Sequence, residues 1–391
     1  MKVKSITISG IGGIKNLTID FNDHMNFICG PNGIGKTTIL ECVAHSFSAS
    51  STNILKRNVL SDSGSFQSIV EIDGENQNSN VVIQDFDPEK QSNINGLRQY
   101  AKYLLSLKVT RTFQYQPLAS VGKDSAKNEN TNFQEAKSGV NINEVKNWFV
   151  NRYLYSAHKG ALTEQQQHNL KLAKSCFSLL NSEFSFSSVR ASSNEIMINT
   201  PNGEIYYEYL SSGFKSCLSI LFGIIKDIEF RFKDPCINAG DFNGIILIDE
   251  LELHLHPEWQ GKIAKILTKV FPDVQFITAT HSPHIIQDAN PNEIIALENN
   301  DGNATRRKLD GGEFGFQGWT VEEVLTDVMG MSDTRTDKYH QVISGFEQAI
   351  QADNYKQATE SYEQLDKLLH PDNHLRKLFK LELASVRETS E

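Results

Sequence analysis

A glycine-rich stretch near the start of the chain carries the residues best suited to hold a phosphate. Residues 30–38 read GPNGIGKTT and fit the spacing G-x-x-x-x-G-K-[ST]. In such a loop the glycine backbone wraps closely around phosphate oxygens, Lys36 reaches the β- and γ-phosphates, and the Thr37 hydroxyl can bind Mg²⁺. An apolar strand before the loop and a helix after it complete the pattern. The predicted nucleotide contacts are Gly30, Pro31, Asn32, Gly33, Ile34, Gly35, Lys36, Thr37 and Thr38.

An acidic pair at the end of an aliphatic run is the second chemical feature. Residues 244–250 read GIILIDE, so Asp249 and Glu250 follow a strand whose side chains are all apolar. Parallel sheets bind their ligands at the carboxyl ends of such strands. The pattern predicts that Asp249 holds Mg²⁺ together with Thr37, directly or through water, and that Glu250 polarises the attacking water.

Two further segments carry residue types that could contact a phosphate held by this loop. Residues 210–214 read LSSGF before a helix, which is an ordinary helix cap or an anion site aimed at a γ-phosphate. His281, in FITATHSPHII, follows a strand and could hydrogen-bond the same phosphate. A metal site formed by His254, His256, His281 and His284 is disfavoured, because no cysteine lies nearby and His-Pro-Glu opens a helix.

The elements that would position these residues alternate between strands and helices. This order predicts a largely parallel sheet covered by helices. The predicted strands are 5–9, 17–21, 25–29, 67–73, 80–85, 109–115, 245–248, 274–278 and 293–297, and the predicted helices are 36–48, 96–107, 144–155, 164–184, 212–232 and 257–271. Residues 122–139 are polar and predict an exposed, mobile loop. The tail is expected to be helical, with one apolar face formed by Tyr355, Ala358, Tyr362, Leu365 and Leu369.

Composition limits the classes of protein that the chain could belong to. The 391 residues include 22% charged and 39% hydrophobic side chains, an ordinary globular balance. The net charge of −10 argues against a protein that coats nucleic acid by bulk charge. No apolar run approaches the length of a membrane span, and the N-terminus does not resemble a signal peptide. Five scattered cysteines favour reduced thiols, so we expect a cytoplasmic protein.

The order of the motifs resembles the ABC-type ATPases of the SMC, RecF and OLD group. The resemblance covers residues 1–298 and implies an α/β ATPase head that binds ATP between two protomers. Ser211, Ser212 and Gly213 would contact the γ-phosphate on the other subunit, residues 252–256 would cross the dimer interface, and His281 would be the switch histidine. The usual L-S-G-G-[QE] is altered at Ser212 and Phe214. The glutamine expected beside the nucleotide is Gln114 or Gln116, with equal weight.

Within that group the chain is similar to short bacterial ATPases of anti-phage defence, of the Septu and retron-linked kind. The segment LELHLHPEWQ and the closing stretch LLHPDNHLRKLFKLELA carry this likeness. About 170 residues separate the two halves, too few for a long coiled-coil arm, and the tail lacks the acidic clusters of a nuclease domain. The resemblance implies a partner HNH nuclease on a separate chain.

Other functions stay open on the sequence. A RecF-like DNA-repair ATPase would use a basic groove that includes Lys102, Lys108 and Arg111. A transporter ATPase and a nucleotide-gated scaffold with negligible turnover are the remaining alternatives. The predicted organisation is an ATPase lobe at 1–95, a partly helical insert at 96–205, a second ATPase lobe at 206–318 and a helical tail at 319–391.

Overall fold

A computed structural model describes residues 1–110, 117–125, 127–142 and 144–389, the side chains of 387–389 excepted. It divides the chain into two compact units, Met1–Met331 and Ser332–Glu391. No helix in the described part of the chain combines the length and the apolar character that a membrane span requires.

The strands and helices are numbered here along the described residues. The strands are β1 (Lys2–Ile11), β2 (Ile14–Asp20), β3 (Met25–Cys29), β4 (Ala49–Thr52), β5 (Gly64–Ile72), β6 (Glu75–Ile83), β7 (Ser92–Asn95), β8 (Leu104–Leu107), β9 (Ser185–Arg190), β10 (Glu195–Thr200), β11 (Gly203–Tyr206), β12 (Ile245–Ile248), β13 (Gln275–Ala279), β14 (Ile294–Asn300) and β15 (Asn303–Arg306). The helices are α1 (Lys36–His45), α2 (Glu129–Ser138), α3 (Val145–Tyr155), α4 (Glu164–Leu180), α5 (Ser212–Arg231), α6 (Pro257–Val270), α7 (Pro283–Asp288), α8 (Val321–Glu323), α9 (Asp337–Gln351), α10 (Tyr355–Leu368) and α11 (Leu375–Thr389).

A central sheet in the order β15-β14-β3-β13-β12-β8 carries the site. The pairs β14–β3, β3–β13, β13–β12 and β12–β8 are parallel, and β15 is an antiparallel edge strand. Strands β3, β8, β12 and β13 are buried along their whole length, as expected for a sheet covered on both faces. Their carboxyl ends therefore meet at one edge, which confirms the predicted parallel sheet.

Helix α1 lies between the central sheet and an antiparallel sheet in the order β2-β1-β5-β6. Apolar side chains of α1, such as Ile39 and Val43, share one core with Ile6 of β1 and Ile277 of β13. A second core covers the opposite face of the central sheet and combines α3, α4, α5 and α6. Packing from both sides fixes the helix that follows the phosphate loop.

Two local predictions in the insert were wrong. Residues 104–107, predicted as the end of a helix, form β8, because pairing with β12 overrides the local helical pattern. Residues 129–138, predicted as mobile loop, form α2, in which Phe133 is buried and Lys137 Nζ donates to the carbonyls of Ala49 and Ser51. The polar residues of this segment are used as buried partners, which composition alone does not reveal. Most of the predicted strand 109–115 lies outside the described residues, and 109–110 form a turn.

The chain after residue 319 is largely helical, as predicted, and the second compact unit begins within it. Val324 and Val328 are buried in the core of the first unit, whereas the second unit begins at Ser332. Helices α9, α10 and α11 of the second unit pack around their own apolar core. That core includes the predicted face formed by Tyr355, Ala358, Tyr362, Leu365 and Leu369. The finer division of residues 1–318 into lobes and insert stays a prediction.

Candidate nucleotide site

The phosphate loop, residues 30–38, is built from backbone conformations that require glycine. Gly30, Gly33 and Gly35 have φ angles of 143°, 75° and 108°. A Cβ atom at Gly30 would lie 2.5 Å from the carbonyl oxygen of Leu297, so no other residue fits there. The loop passes from β3 into α1, which directs backbone N–H groups and a helix N-terminus towards the same point.

Lys36 lies inside this loop. It is the first residue of α1, and its Nζ donates to the carbonyls of Gly30 and Pro31 at 2.9 Å each. Burial lowers the pKa of Lys36, while Cys29 and Glu252 act in the opposite direction. The ammonium is thus held by two carbonyls of the phosphate loop. In loops of this kind the lysine reaches the β- and γ-phosphates.

Thr37 and Asp249 form the place where a cation would bind. The Thr37 hydroxyl donates to Asp249 Oδ1 at 3.3 Å, and the backbone N–H of Asp249 donates to Leu107 at the end of β8. Neighbouring ligand oxygens in a Mg²⁺ shell lie about 2.9 Å apart. The two oxygens are therefore close enough to share one octahedral ion after a small adjustment. A hydroxyl and a carboxylate are also the ligand types that Mg²⁺ prefers.

The acidic loop, residues 249–256, turns sharply after β12. Glu250 is half-buried and has a φ of 50°, an unusual backbone conformation for this residue type. The N–H of Leu251 donates to Ala279 at the end of β13, so the loop is tied to the neighbouring strand. This turn directs the loop back towards the sheet edge that carries Lys36.

Glu252 is the residue at this site whose position the sequence did not reveal. Its Oε2 accepts from the Thr280 hydroxyl at 2.7 Å, and its Oε1 accepts from the backbone N–H of His281 at 2.5 Å. The resemblance placed Glu252 in a loop that crosses to another subunit, whereas its carboxylate binds residues of its own chain. A glutamate two residues after the Asp-Glu pair was the available signal, but its partners lie 28 and 29 residues further along the chain.

His281 lies at the surface beside these charges. Partial burial lowers its pKa, and Lys36 lowers it further, while Glu252 and Glu250 act in the opposite direction. The lowered pKa favours the neutral imidazole near pH 7, whose one ring N–H can donate a hydrogen bond to a phosphate oxygen. Lys36, Thr37, Asp249, Glu250 and His281 thus lie near one another at one sheet edge, and their roles stay predictions.

The signature segment, residues 210–214, has one exposed and one buried part. Ser211 and Ser212 are exposed, and the Ser211 hydroxyl accepts from the N–H of Phe214 at 3.3 Å, an N-cap of α5. Gly213 is buried against the acidic loop, since a Cβ there would lie 3.4 Å from the backbone nitrogen of His256. Phe214 is 3% exposed and packs edge-on against Trp259.

That arrangement explains both departures from the usual signature. Phe214 replaces a polar residue because its ring belongs to the core, where it also packs against Phe184 at 5.3 Å between ring centroids. Ser212 stands at the surface, where a small hydroxyl side chain is tolerated. The cap and the anion-site interpretations are compatible, because Ser211 caps α5 while Ser212 stays exposed.

Several other predicted residues have local partners or lie outside the description. His256 caps α6, its Nδ1 accepting from Glu258, and His284 Nδ1 lies 3.3 Å from Gln287 Oε1. Lys108 pairs with Glu41 at 2.6 Å. The alternatives Gln114 and Gln116, and Arg111 of the proposed basic groove, lie outside the described residues.

Known proteins are similar to this chain over stretches of different length. A model described as AAA domain matches residues 5–204, and a second AAA-domain model matches residues 143–287. Septu protein PtuA of Bacillus thuringiensis is 44% identical over 386 residues, which cover 98% of each chain. Retron Ec83 probable ATPase of Escherichia coli is 27% identical over 161 residues, 41% of this chain and 28% of that one. The SMC head domain from Thermotoga maritima has 16% identity and a TM-score of 0.48, and the match covers 79% of this chain and all of that one.

The phosphate loop, the acidic strand end and the AAA-domain matches define the class of protein: a P-loop ATPase with an α/β head and a helical C-terminal region. The PtuA match extends over almost the entire length of both chains. The chain therefore belongs to the Septu PtuA family of anti-phage ATPases, which confirms the family resemblance of the motifs.

Proposed function

We propose that two or more copies of this chain bind ATP between them, with the phosphate loop of one copy facing the signature segment of another. What supports the proposal is a division within the site. Lys36, Thr37, Asp249 and His281 converge at one sheet edge, while Ser211 and Ser212 stand exposed at the start of α5. An exposed helix N-terminus with small side chains is suited to an anion presented by a second molecule.

The roles of the residues follow from their positions. Lys36 and the loop N–H groups hold the phosphates, and Thr37 and Asp249 would hold Mg²⁺, which supplies charge neutralisation at the β- and γ-phosphates. Glu250 orients and polarises the attacking water, and His281 hydrogen-bonds the γ-phosphate. The residue of the adenine side is Gln114 or Gln116.

A glutamine at position 250 gives the sharpest test of this assembly. Glu250→Gln keeps the size of the side chain but removes the carboxylate, so hydrolysis should fall by about 10²-fold or more while ATP binding persists. Sedimentation or light scattering with ATP and Mg²⁺ should then show a larger oligomer than without nucleotide. Lys36→Ala should abolish binding and oligomer growth together, because it removes the charge that holds the phosphates.

One control variant and two further outcomes make the result decisive. Glu258→Gln removes a carboxylate from the exposed Glu258–Lys262 pair on α6 and should leave both measurements unchanged. If the mass of Glu250→Gln stays the same with and without ATP, the shared site is wrong even if ATP binds. If wild-type chain neither binds nor hydrolyses ATP, the nucleotide role of this site is wrong altogether.

We further propose that the nucleotide state of this cytoplasmic ATPase controls a separate nuclease, of the HNH type, in anti-phage defence. The membership of the PtuA family and the separate helical unit at Ser332–Glu391 support this. Leu378 and Leu381 of α11 are 52% and 69% exposed and offer an apolar contact to a partner.

Co-purification tests the partner. An HNH nuclease of the native cell should co-purify with wild type, and Leu378→Asp with Leu381→Asp should reduce the recovered nuclease. Loss of the second unit's helical signal in circular dichroism would mark a folding defect instead. A steep, salt-dependent stimulation of hydrolysis by DNA, without any nuclease, would favour the DNA-repair function.

A further inference from the structure

We propose that Glu252 is a positioning residue, which fixes the switch segment, residues 280–282, so that His281 faces the γ-phosphate. The proposal rests on the function proposed above and adds a role for a side chain that the motif comparison placed elsewhere. Glu252 does not need to touch ATP for this role, because it acts through the backbone of His281.

The two oxygens of Glu252 are both used, and by neighbouring residues. One accepts from the Thr280 hydroxyl at 2.7 Å and the other from the backbone N–H of His281 at 2.5 Å. Charged acceptors make the stronger hydrogen bonds in proteins. A single carboxylate therefore holds two consecutive residues of the switch segment.

Thr280 is anchored from three directions, which makes the carboxylate part of a rigid arrangement. It is fully buried, its N–H donates to Ile28 of β3 at 3.0 Å, and its hydroxyl accepts from the N–H of Ser282 at 3.0 Å. The hydroxyl hydrogen is then directed to Glu252. Loss of that acceptor would leave the Thr280 hydroxyl to find another partner inside the protein, and the switch segment would shift.

The same turn also contacts the signature helix. Within the acidic loop, the N–H of Leu253 donates to Glu250 and that of Leu255 to Glu252, at 2.9 Å and 2.8 Å. The Ser216 hydroxyl of α5 donates to the Leu253 carbonyl at 3.3 Å. One short turn therefore joins the start of α5 to His281. A second copy that contacts Ser211 and Ser212 at the start of α5 would therefore also act on the turn that positions His281.

Steady-state ATP hydrolysis by the full-length chain separates positioning from other roles. Glu252→Ala removes both acceptors, and a displacement near 1 Å at a reacting group lowers turnover by about 10²-fold. We expect kcat to fall by that factor while KM for ATP stays within about 3-fold, because Lys36 and the phosphate loop are untouched. Glu258→Gln is the matched control, which removes a carboxylate that contacts Lys262 alone among the described salt bridges.

The variant Glu252→Gln distinguishes a positioning role of Glu252 from an electrostatic role of its charge. Its amide oxygen can still accept from His281 N–H, and its nitrogen can donate to the Thr280 oxygen. Only the Thr280 hydroxyl hydrogen loses its acceptor, so kcat should recover most of the loss seen in Glu252→Ala, to within about 5-fold of wild type. An electrostatic role for the carboxylate predicts that glutamine is as damaging as alanine. That result would overturn the positioning role.

Other outcomes are equally clear. Unchanged kcat in Glu252→Ala, or a raised KM with unchanged kcat, would overturn the inference while hydrolysis by wild type kept the proposed function in place. No hydrolysis by wild type would instead overturn the proposed function. If Glu252→Ala fails to fold, Thr280→Val decides, because it removes one of the two bonds to Glu252, together with the acceptor of the Ser282 N–H in the same switch segment. Its kcat should fall by about 10-fold, and an unchanged kcat would contradict the proposal.

Discussion

The phosphate loop and the signature segment are both expected to contact one triphosphate, yet they are constructed in different ways. In the phosphate loop, Lys36 is held by the carbonyls of Gly30 and Pro31, six and five residues away. In the signature segment, Phe214 packs against Phe184 and Trp259, which lie far away in sequence. The first is a local backbone structure, and the second is the surface of a core.

This difference explains which motif could be recognised. A backbone structure that depends on glycines and one lysine must keep those residue types, so its spacing is highly specific. A helix tip supported by distant side chains tolerates Ser212 and Phe214 in place of the usual residues, because the core supplies the support. The departures in the signature segment therefore reflect packing and do not indicate a lost site.

The largest expected effect is at Gly30 of the phosphate loop. Gly30→Ala should lower ATP affinity by about 100-fold or more, because the added Cβ would lie 2.5 Å from the Leu297 carbonyl and force the loop apart. Gly318→Ala, outside the phosphate loop, is the control: a Cβ there meets nothing within 4 Å and its φ is not in the left-handed region, so the ATP affinity should stay unchanged. Titration with a fluorescent ATP analogue measures both. Equal affinities would contradict the steric account.

In the signature segment the largest expected effect is on stability. Phe214→Gln should lower the free energy of unfolding by about 3 kcal/mol or more, since a polar amide would replace a buried ring. Phe214→Leu, which keeps an apolar side chain, should cost about 1.5 kcal/mol or less. Urea denaturation followed by circular dichroism gives both values. A glutamine variant as stable as wild type would mean that the side chain reaches the surface.

The helix after the phosphate loop contains a pH-sensitive group. Burial lowers the pKa of His45 to about 3, so below its ordinary value of 6.5 the unfolded chain binds a proton that the folded chain does not. Stability should therefore fall with decreasing pH, by about 2 kcal/mol between pH 6.5 and 5. His45→Gln should lose this dependence, and the exposed His168→Gln should keep it. Glu41, whose pKa burial raises, acts in the opposite direction in all three proteins. If the curves of unfolding free energy against pH are parallel for wild type and His45→Gln, the proposed role of His45 in the pH dependence is wrong.

The smallest expected effect distinguishes the two serines of the signature segment. Ser211→Ala should cost about 1 kcal/mol of unfolding free energy, because it removes the cap of α5. Ser212→Ala should cost less than about 0.5 kcal/mol in the absence of nucleotide, as for other surface positions. In the Glu250→Gln background, Ser212→Ala should still weaken the ATP-dependent oligomer. An oligomer unaffected by Ser212→Ala would argue against a contact between copies at this residue.

Motif spacing and strong periodicity predicted much of the fold. The strand Ile245–Ile248 and the helices after residues 211 and 256 lie where the apolar runs and their caps indicated. The insert was less predictable. The short apolar run Leu104–Leu107 fits a helix or a strand until β12 is placed beside it. Helix α2 looks like loop because the partners of Lys137, the carbonyls of Ala49 and Ser51, lie far away in sequence.

Residue type and spacing alone indicated the phosphate loop, because the carbonyls that hold Lys36 lie within six residues of it. They also identified Asp249 and His281, because parallel strands place their carboxyl ends together whatever the intervening chain does. The role of Glu252 was decided only by the folded chain. The partners of a carboxylate depend on distance in space and not on distance along the chain. Thr280 lies within hydrogen-bonding distance of Glu252 because β12 and β13 pair.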